Sequence, residues 1–122
     1  MSKQTILVVE DDPMQRLQLV RVLENAGYNV LQASTGHETI RILESQEIAL
    51  ILTDRKMPWM DGDWLLNYVK TNYSRIPVVF ATAYPEETGD LKPDALLAKP
   101  FDQHELKEVV RRLIRKDKPH DK

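Results

Sequence analysis

A chain of 122 residues has room for one domain and not for two independent cores. Hydrophobic residues at 42% suffice for that core, and 30% charged residues with a formal net charge of only -2 argue against electrostatic binding of nucleic acid by the whole domain. The absence of cysteine excludes disulfides, thiolate metal sites and a thiol nucleophile, and no apolar run is long enough to cross a membrane.

Thr5 to Val9 is an apolar, β-branched run, read as strand one. Glu10-Asp11-Asp12-Pro13 stops it; Asp12 can cap a helix whose first residue is Pro13. Met14, Leu17, Val20 and Leu23, flanked by Leu19, are the predicted apolar stripe of helix one, which ends at Asn25-Ala26-Gly27. Asn29 to Ala33 is a short strand two. Helix two runs from about His37 to Ser45, with Ile40 and Leu43 inward. Ile48 to Thr53 is strand three. It runs into Asp54 and then into Met57-Pro58, where proline disfavours helix in the preceding residue. Helix three spans about Asp61 to Thr71, with Leu65, Leu66 and Val69 apolar, and Ile76 to Ala81 is strand four. Pro85, Gly89 and Pro93 then leave room for at most one short helical turn, around Glu86 to Thr88. Ala95 to Ala98 is strand five, followed by Lys99-Pro100. Asp102 and Glu105 form a capping box for an amphipathic helix carrying Leu106, Val109, Val110, Leu113 and Ile114. The core is expected over residues 4–116, with a charged tail at 117–122. The N-terminus turns acidic too soon for a signal peptide, so a cytoplasmic domain is expected.

Strands alternating with helices imply an α/β fold: a doubly wound, five-stranded parallel sheet with right-handed crossovers, in the order 2-1-3-4-5. In such sheets ligands bind outside the carboxyl ends of the strands. Glu10, Asp11, Asp54, Thr82 and Lys99 all fall at those ends. If strands one and three are neighbours, Glu10, Asp11 and Asp54 converge, and a proton or a cation must relieve their repulsion. An all-oxygen site without histidine or cysteine suits Mg²⁺ rather than zinc. Lys99 adds an ammonium and Thr82 a hydroxyl, a set that can cradle a phosphoryl group while Asp54 attacks. Taken singly, each residue has an ordinary reading. The acids could cap a helix or a turn, Thr82 could be a plain strand residue, and Lys99-Pro100 a solvated turn. His37, His104 and His120, and the basic set Arg111, Arg112, Arg115 and Lys116, read as solvated surface.

The stretches ILVVEDDP, LILTDRKMPWMDG, VVFATAY and LLAKPF stand in an order that resembles the receiver domain of two-component response regulators, with a flavodoxin-like fold, over nearly the whole chain. The resemblance implies that Asp54 is the phosphoacceptor and that Glu10 and Asp11 are the acidic pair at Mg²⁺, Asp11 the more direct ligand. It implies that Lys56 gives the metal its backbone carbonyl, that Thr82 and Lys99 contact phosphoryl oxygens, and that Lys99-Pro100 is cis. The donor would be a histidine kinase or a histidine phosphotransfer protein, with no direct role for nucleic acid or membrane. The domain would be a switch that catalyses only its own phosphorylation and dephosphorylation, not a metabolic enzyme. Two features depart from the common pattern. Leu96 stands where an aromatic switch residue is usual, and the segment from Thr82 to Lys99 is short, so the helix after strand four is curtailed. With FATAY after strand four, the chain resembles a subgroup with a FAT-G-x-Y-like motif, often free-standing, although Ala83 replaces the glycine and Tyr84 comes one position early. Three alternatives are a phosphohydrolase of the haloacid dehalogenase type, whose D-x-D motif strand one lacks, a non-phosphorylated interaction module, and an N-terminal piece of a longer regulator.

Overall fold

The computed structural model describes residues 3–55, 62–85 and 92–117, with side chains described as far as residue 114. Along the chain run β1 (Thr5–Val9), α1 (Pro13–Asn25), β2 (Asn29–Ala33), α2 (Gly36–Ser45), β3 (Leu50–Asp54), α3 (Gly62–Asn72), β4 (Val78–Thr82), β5 (Ala95–Ala98) and α4 (Gln103–Asp117). The strands form one parallel sheet in the order β2-β1-β3-β4-β5, as the alternation of elements predicts. The short helical turn expected at residues 86–88 lies outside the described residues; of the tail expected at 117–122, Asp117 ends α4 and the rest lies outside them.

Alternate residues of the central strands feed two cores, because successive side chains of a strand point to opposite faces. Ile6, Val8, Leu50, Leu52, Val79 and Ala81 pack on one face with Leu23 of α1 and with Leu106 and Val110 of α4. Leu7, Val9, Ile51, Val78 and Phe80 pack on the other with Leu43 of α2 and Leu65, Leu66 and Val69 of α3. A sheet covered on both sides explains the near-continuous apolar runs of β1, β3 and β4.

The helix ends are formed by the residues that predict them. Asp12 accepts from the Met14 amide at 3.0 Å with Pro13 opening α1. At its other end Gly27 takes φ +103°, the Gly27 amide donates to Glu24 O at 3.0 Å and the Tyr28 amide to Leu23 O at 3.2 Å. These are the paired bonds of a left-handed glycine stop. In front of α4, the Asp102 amide donates to Glu105 Oε1 at 3.1 Å and the Glu105 amide to Asp102 Oδ1 at 2.8 Å.

Three expectations need correction. Met14 and Leu17 are exposed, at 69% and 43%, rather than part of the inward stripe of α1. A helix turns roughly 100° per residue, so each three-residue step falls back roughly 60°, and residues 14 and 23 point in opposite directions. The face that packs is Leu19, Val20, Val22 and Leu23. β3 begins at Leu50 and β4 at Val78, each two residues later than expected from the apolar runs; each also ends one residue later, at Asp54 and Thr82. Ile48 and Ile76 still pack into the second core from outside the strands.

β5 is fastened to β4 by a side chain. The Asp94 amide donates to Val78 O at 2.8 Å, and Asp94 Oδ2 accepts from the Val78 amide at 2.8 Å and from Lys70 Nζ at 2.6 Å.

Candidate functional site

Register brings the polar ends of four strands side by side. Val9 pairs with Thr53, Asp54 with Ala81, and Thr82 with Ala98. The Glu10 amide donates to Ala33 O at 3.1 Å and Arg16 Nη1 donates to the Glu10 carbonyl at 2.8 Å, so the chain just beyond β1 is pinned. One carboxylate oxygen each from Glu10, Asp11 and Asp54 lies within 4.8 Å of the others. An all-oxygen donor set of this size fits a hard cation such as Mg²⁺. Lys99 comes from beyond β5, two strands from Asp54, a gap of roughly 10 Å at the usual strand spacing that a long side chain can span. Its Nζ stands 3.1 Å from Asp54 Oδ2 and 3.6 Å from Glu10 Oε1. The Lys99-Pro100 bond is cis.

Thr82 is buried at the end of β4, and its hydroxyl oxygen accepts from the Tyr84 amide at 3.0 Å. Lys56 lies outside the described residues. His37, His104, Arg111 and Arg112 are exposed, and Arg111 pairs with Glu108 on its own helix. His120 and the side chains of Arg115 and Lys116 are outside the described set.

The structure adds residues that the sequence did not single out. Gln15 and Arg16, on the first turns of α1, hydrogen-bond to Lys99 and to Glu10. Arg55, next to Asp54, is held by Asp63 through two bonds of 3.0 and 3.1 Å. Gly62 opens α3 against the end of β3, its amide donating to Arg55 O. A Cβ there would stand 2.8 Å from Arg55 Cα and 2.9 Å from Asp54 O.

Glu10 is only 2% exposed, and burial above all pushes its carboxyl above the ordinary value of 4.5. The Asp12 amide, at 3.2 Å, and the Lys99 ammonium pull it back down, while Asp54 pushes it further up. A carboxyl raised in the folded state keeps its proton to higher pH than in the unfolded chain. It therefore lends stability below 4.5 that is lost as pH rises through the raised folded value. In metal-free buffer, Glu10→Gln should flatten that decline and be the more stable protein at pH 7. Urea melts across pH 4 to 8 check this; equal slopes in both proteins would remove Glu10 as the cause.

An acidic oxygen cluster beside an ammonium, at the carboxyl edge of a 2-1-3-4-5 parallel sheet, can hold a hard cation together with an anionic ligand. The family model described as response regulator receiver domain matches residues 6–111. The chain belongs to the response regulator receiver domain family of two-component systems. It is 33% identical over 119 residues to sporulation initiation phosphotransferase F of Bacillus subtilis, covering 93% of this chain and 96% of that one. It is 34% identical over 119 residues to sensor kinase CckA of Brucella abortus, covering 92% of this chain but only 13% of the kinase. Among solved structures, response regulator TrrA of Thermotoga maritima in complex with Mg²⁺-BeF superposes with a TM-score of 0.84 at 30% identity, covering 90% of this chain and 98% of that one. Among the described residues no helix is long and apolar enough to cross a membrane.

Proposed function

We propose that the chain is a phosphoacceptor switch, taking a phosphoryl group on Asp54 from the phosphohistidine of a histidine kinase or histidine phosphotransfer protein. The observation that carries this reading is the Lys99 ammonium 3.1 Å from Asp54 Oδ2, with the Glu10 and Asp11 carboxylates beside it. An Asp54 oxygen attacks phosphorus, the P–N bond breaks, and the imidazole nitrogen keeps the electron pair and takes a proton. Glu10, Asp11 and Asp54 would hold Mg²⁺, with the Lys56 carbonyl as a further ligand by family resemblance. Bound there, the ion supplies positive charge against the phosphoryl oxygens. Lys99 follows the charge from the carboxylate to a phosphoryl oxygen. The Thr82 hydroxyl uses its oxygen for the Tyr84 amide and keeps its proton to donate. Similarity to TrrA, described in complex with Mg²⁺-BeF, supports the assignment. The chain acts as a switch rather than as an enzyme on a separate substrate, in the cytoplasm where such kinases present their phosphohistidine.

Output passes through the segment after Thr82. Leu96 has no ring to swing, whereas a Thr82 hydroxyl that turns to a phosphoryl oxygen pulls on the Tyr84 amide bonded to it. Tyr84, 53% exposed, has ring surface left to bury when its backbone moves. Beryllofluoride should shift the amides of Ala83 and Tyr84 more than that of Leu96 in NMR spectra. The largest changes at Leu96 and α4 would point to the other route.

The direct test of the function is intact-mass spectrometry with acetyl phosphate. Wild type should gain one phosphoryl group in Mg²⁺ and none after chelation. No gain in Mg²⁺ would favour a non-phosphorylated interaction module.

A further inference from the structure

Helix α1 reaches the site through a neutral side chain. Gln15 Oε1 accepts from Lys99 Nζ at 2.9 Å, across a sequence separation of 84 residues. An ammonium has three donors and no acceptor. The Lys99 donors face Gln15 Oε1 at 2.9 Å, Asp54 Oδ2 at 3.1 Å and Glu10 Oε1 at 3.6 Å, and the amide oxygen is the nearest of the three. The Gln15 amide is itself held, because its Nε2 donates to Asp12 Oδ2 at 3.0 Å. A flip would turn the amide NH₂ toward the ammonium and its oxygen toward a carboxylate, so the orientation is fixed by its neighbours. Asp12 in turn is fixed by capping α1 through its other oxygen.

We infer that Gln15 is a positioning residue that shares the Lys99 ammonium with the carboxylate cluster and fixes it on the α1 side of Asp54, where it can meet an anion carried on Asp54. The inference rests on the phosphoacceptor reading and extends it to α1. A lysine stem has four rotatable bonds and loses much side-chain freedom when its end is fixed. Tethered to α1, the ammonium is set beforehand at the rim of the site. Without the tether it samples solvent and other positions over the acids, and the cost of ordering it falls on anion binding. A neutral acceptor suits this task, because it holds the ammonium without a charge that would repel the incoming anion.

Gln15→Met keeps the length and helix preference of the side chain and removes the acceptor. Beryllofluoride in Mg²⁺ should bind this variant about fivefold more weakly than wild type, on the scale of one lost hydrogen bond. In the free protein, ¹³C relaxation of the Lys99 ε-methylene should show greater motion, with an unchanged melting temperature. Gln15→Glu, which restores an acceptor oxygen, should return the Lys99 order. Equal beryllofluoride affinity in Gln15→Met and wild type, or equal Lys99 motion, would overturn the inference. If wild type itself fails to bind beryllofluoride, the phosphoacceptor reading falls, and the Lys99 relaxation data alone decide whether Gln15 positions the ammonium.

Discussion

Asp54→Asn should take up no phosphoryl group from acetyl phosphate or from a phosphorylated histidine domain in Mg²⁺, and should still fold. Asp54 is the last residue of β3 and its carboxylate lies 3.1 Å from the Lys99 ammonium; in the proposed transfer it is the oxygen nucleophile. An amide of the same shape keeps a weak acceptor for Lys99 Nζ but has no anionic oxygen to attack phosphorus. The stability change should be small, within about 1 kcal/mol, because two effects oppose each other. Removing one charge relieves repulsion with Glu10 and Asp11, and it weakens the partly exposed pair with Lys99. Intact mass with peptide mapping reads the first outcome and denaturant melts the second. Phosphorylation of the variant at Glu10 or Asp11 would move the acceptor to that residue.

Gly62→Ala should destabilise the protein by about 1–3 kcal/mol, an overpacking cost. The added methyl would stand 2.8 Å from Arg55 Cα, 2.9 Å from Asp54 O and 3.0 Å from Arg55 O. All three are backbone atoms, so no side chain can turn away to make room. Alanine's better helix preference offsets part of this cost, but little at the first residue of a helix. Relief requires α3 to move away from the end of β3, against the two bonds between Arg55 and Asp63. Thermal and urea melts give the magnitude. An unchanged melting temperature would mean that α3 shifts without cost and that the close approach is not needed.

The parts of the site that the sequence reveals are those that depend on strand ends alone. Glu10, Asp11 and Asp54 are found together because β1 and β3 are neighbours, and that adjacency follows from the order of elements. Lys99 and Thr82 follow in the same way from β5 and β4. Gln15 is different: its place one turn beyond Asp12 is readable, but its bond to Lys99 depends on how α1 leans on the sheet. Gly62 reads as an ordinary helix opener, since no local pattern reports that a Cβ there would stand 2.8 Å from the backbone just beyond β3. The apolar stripe of α1 goes astray for a geometric reason: spacing by three precesses around the helix, and Met14 and Leu17 end on the solvent side.

The Asp94 clamp separates the length of the β4–β5 connection from the integrity of the sheet. Val78 and Lys70 hold Asp94 from outside that connection, and the Lys99 amide fixes Thr82 O at 2.7 Å on its far side. Residues 83–94 therefore form a span whose two ends are anchored independently of what lies between them. For a connecting loop in general, doubling the length costs only about 0.6 kcal/mol in closure entropy. Insertions there are cheap for the fold, and they arrive beside Thr82. This border of the receiver is a place where new recognition surface can be grafted next to the acidic cluster while the strands keep their register.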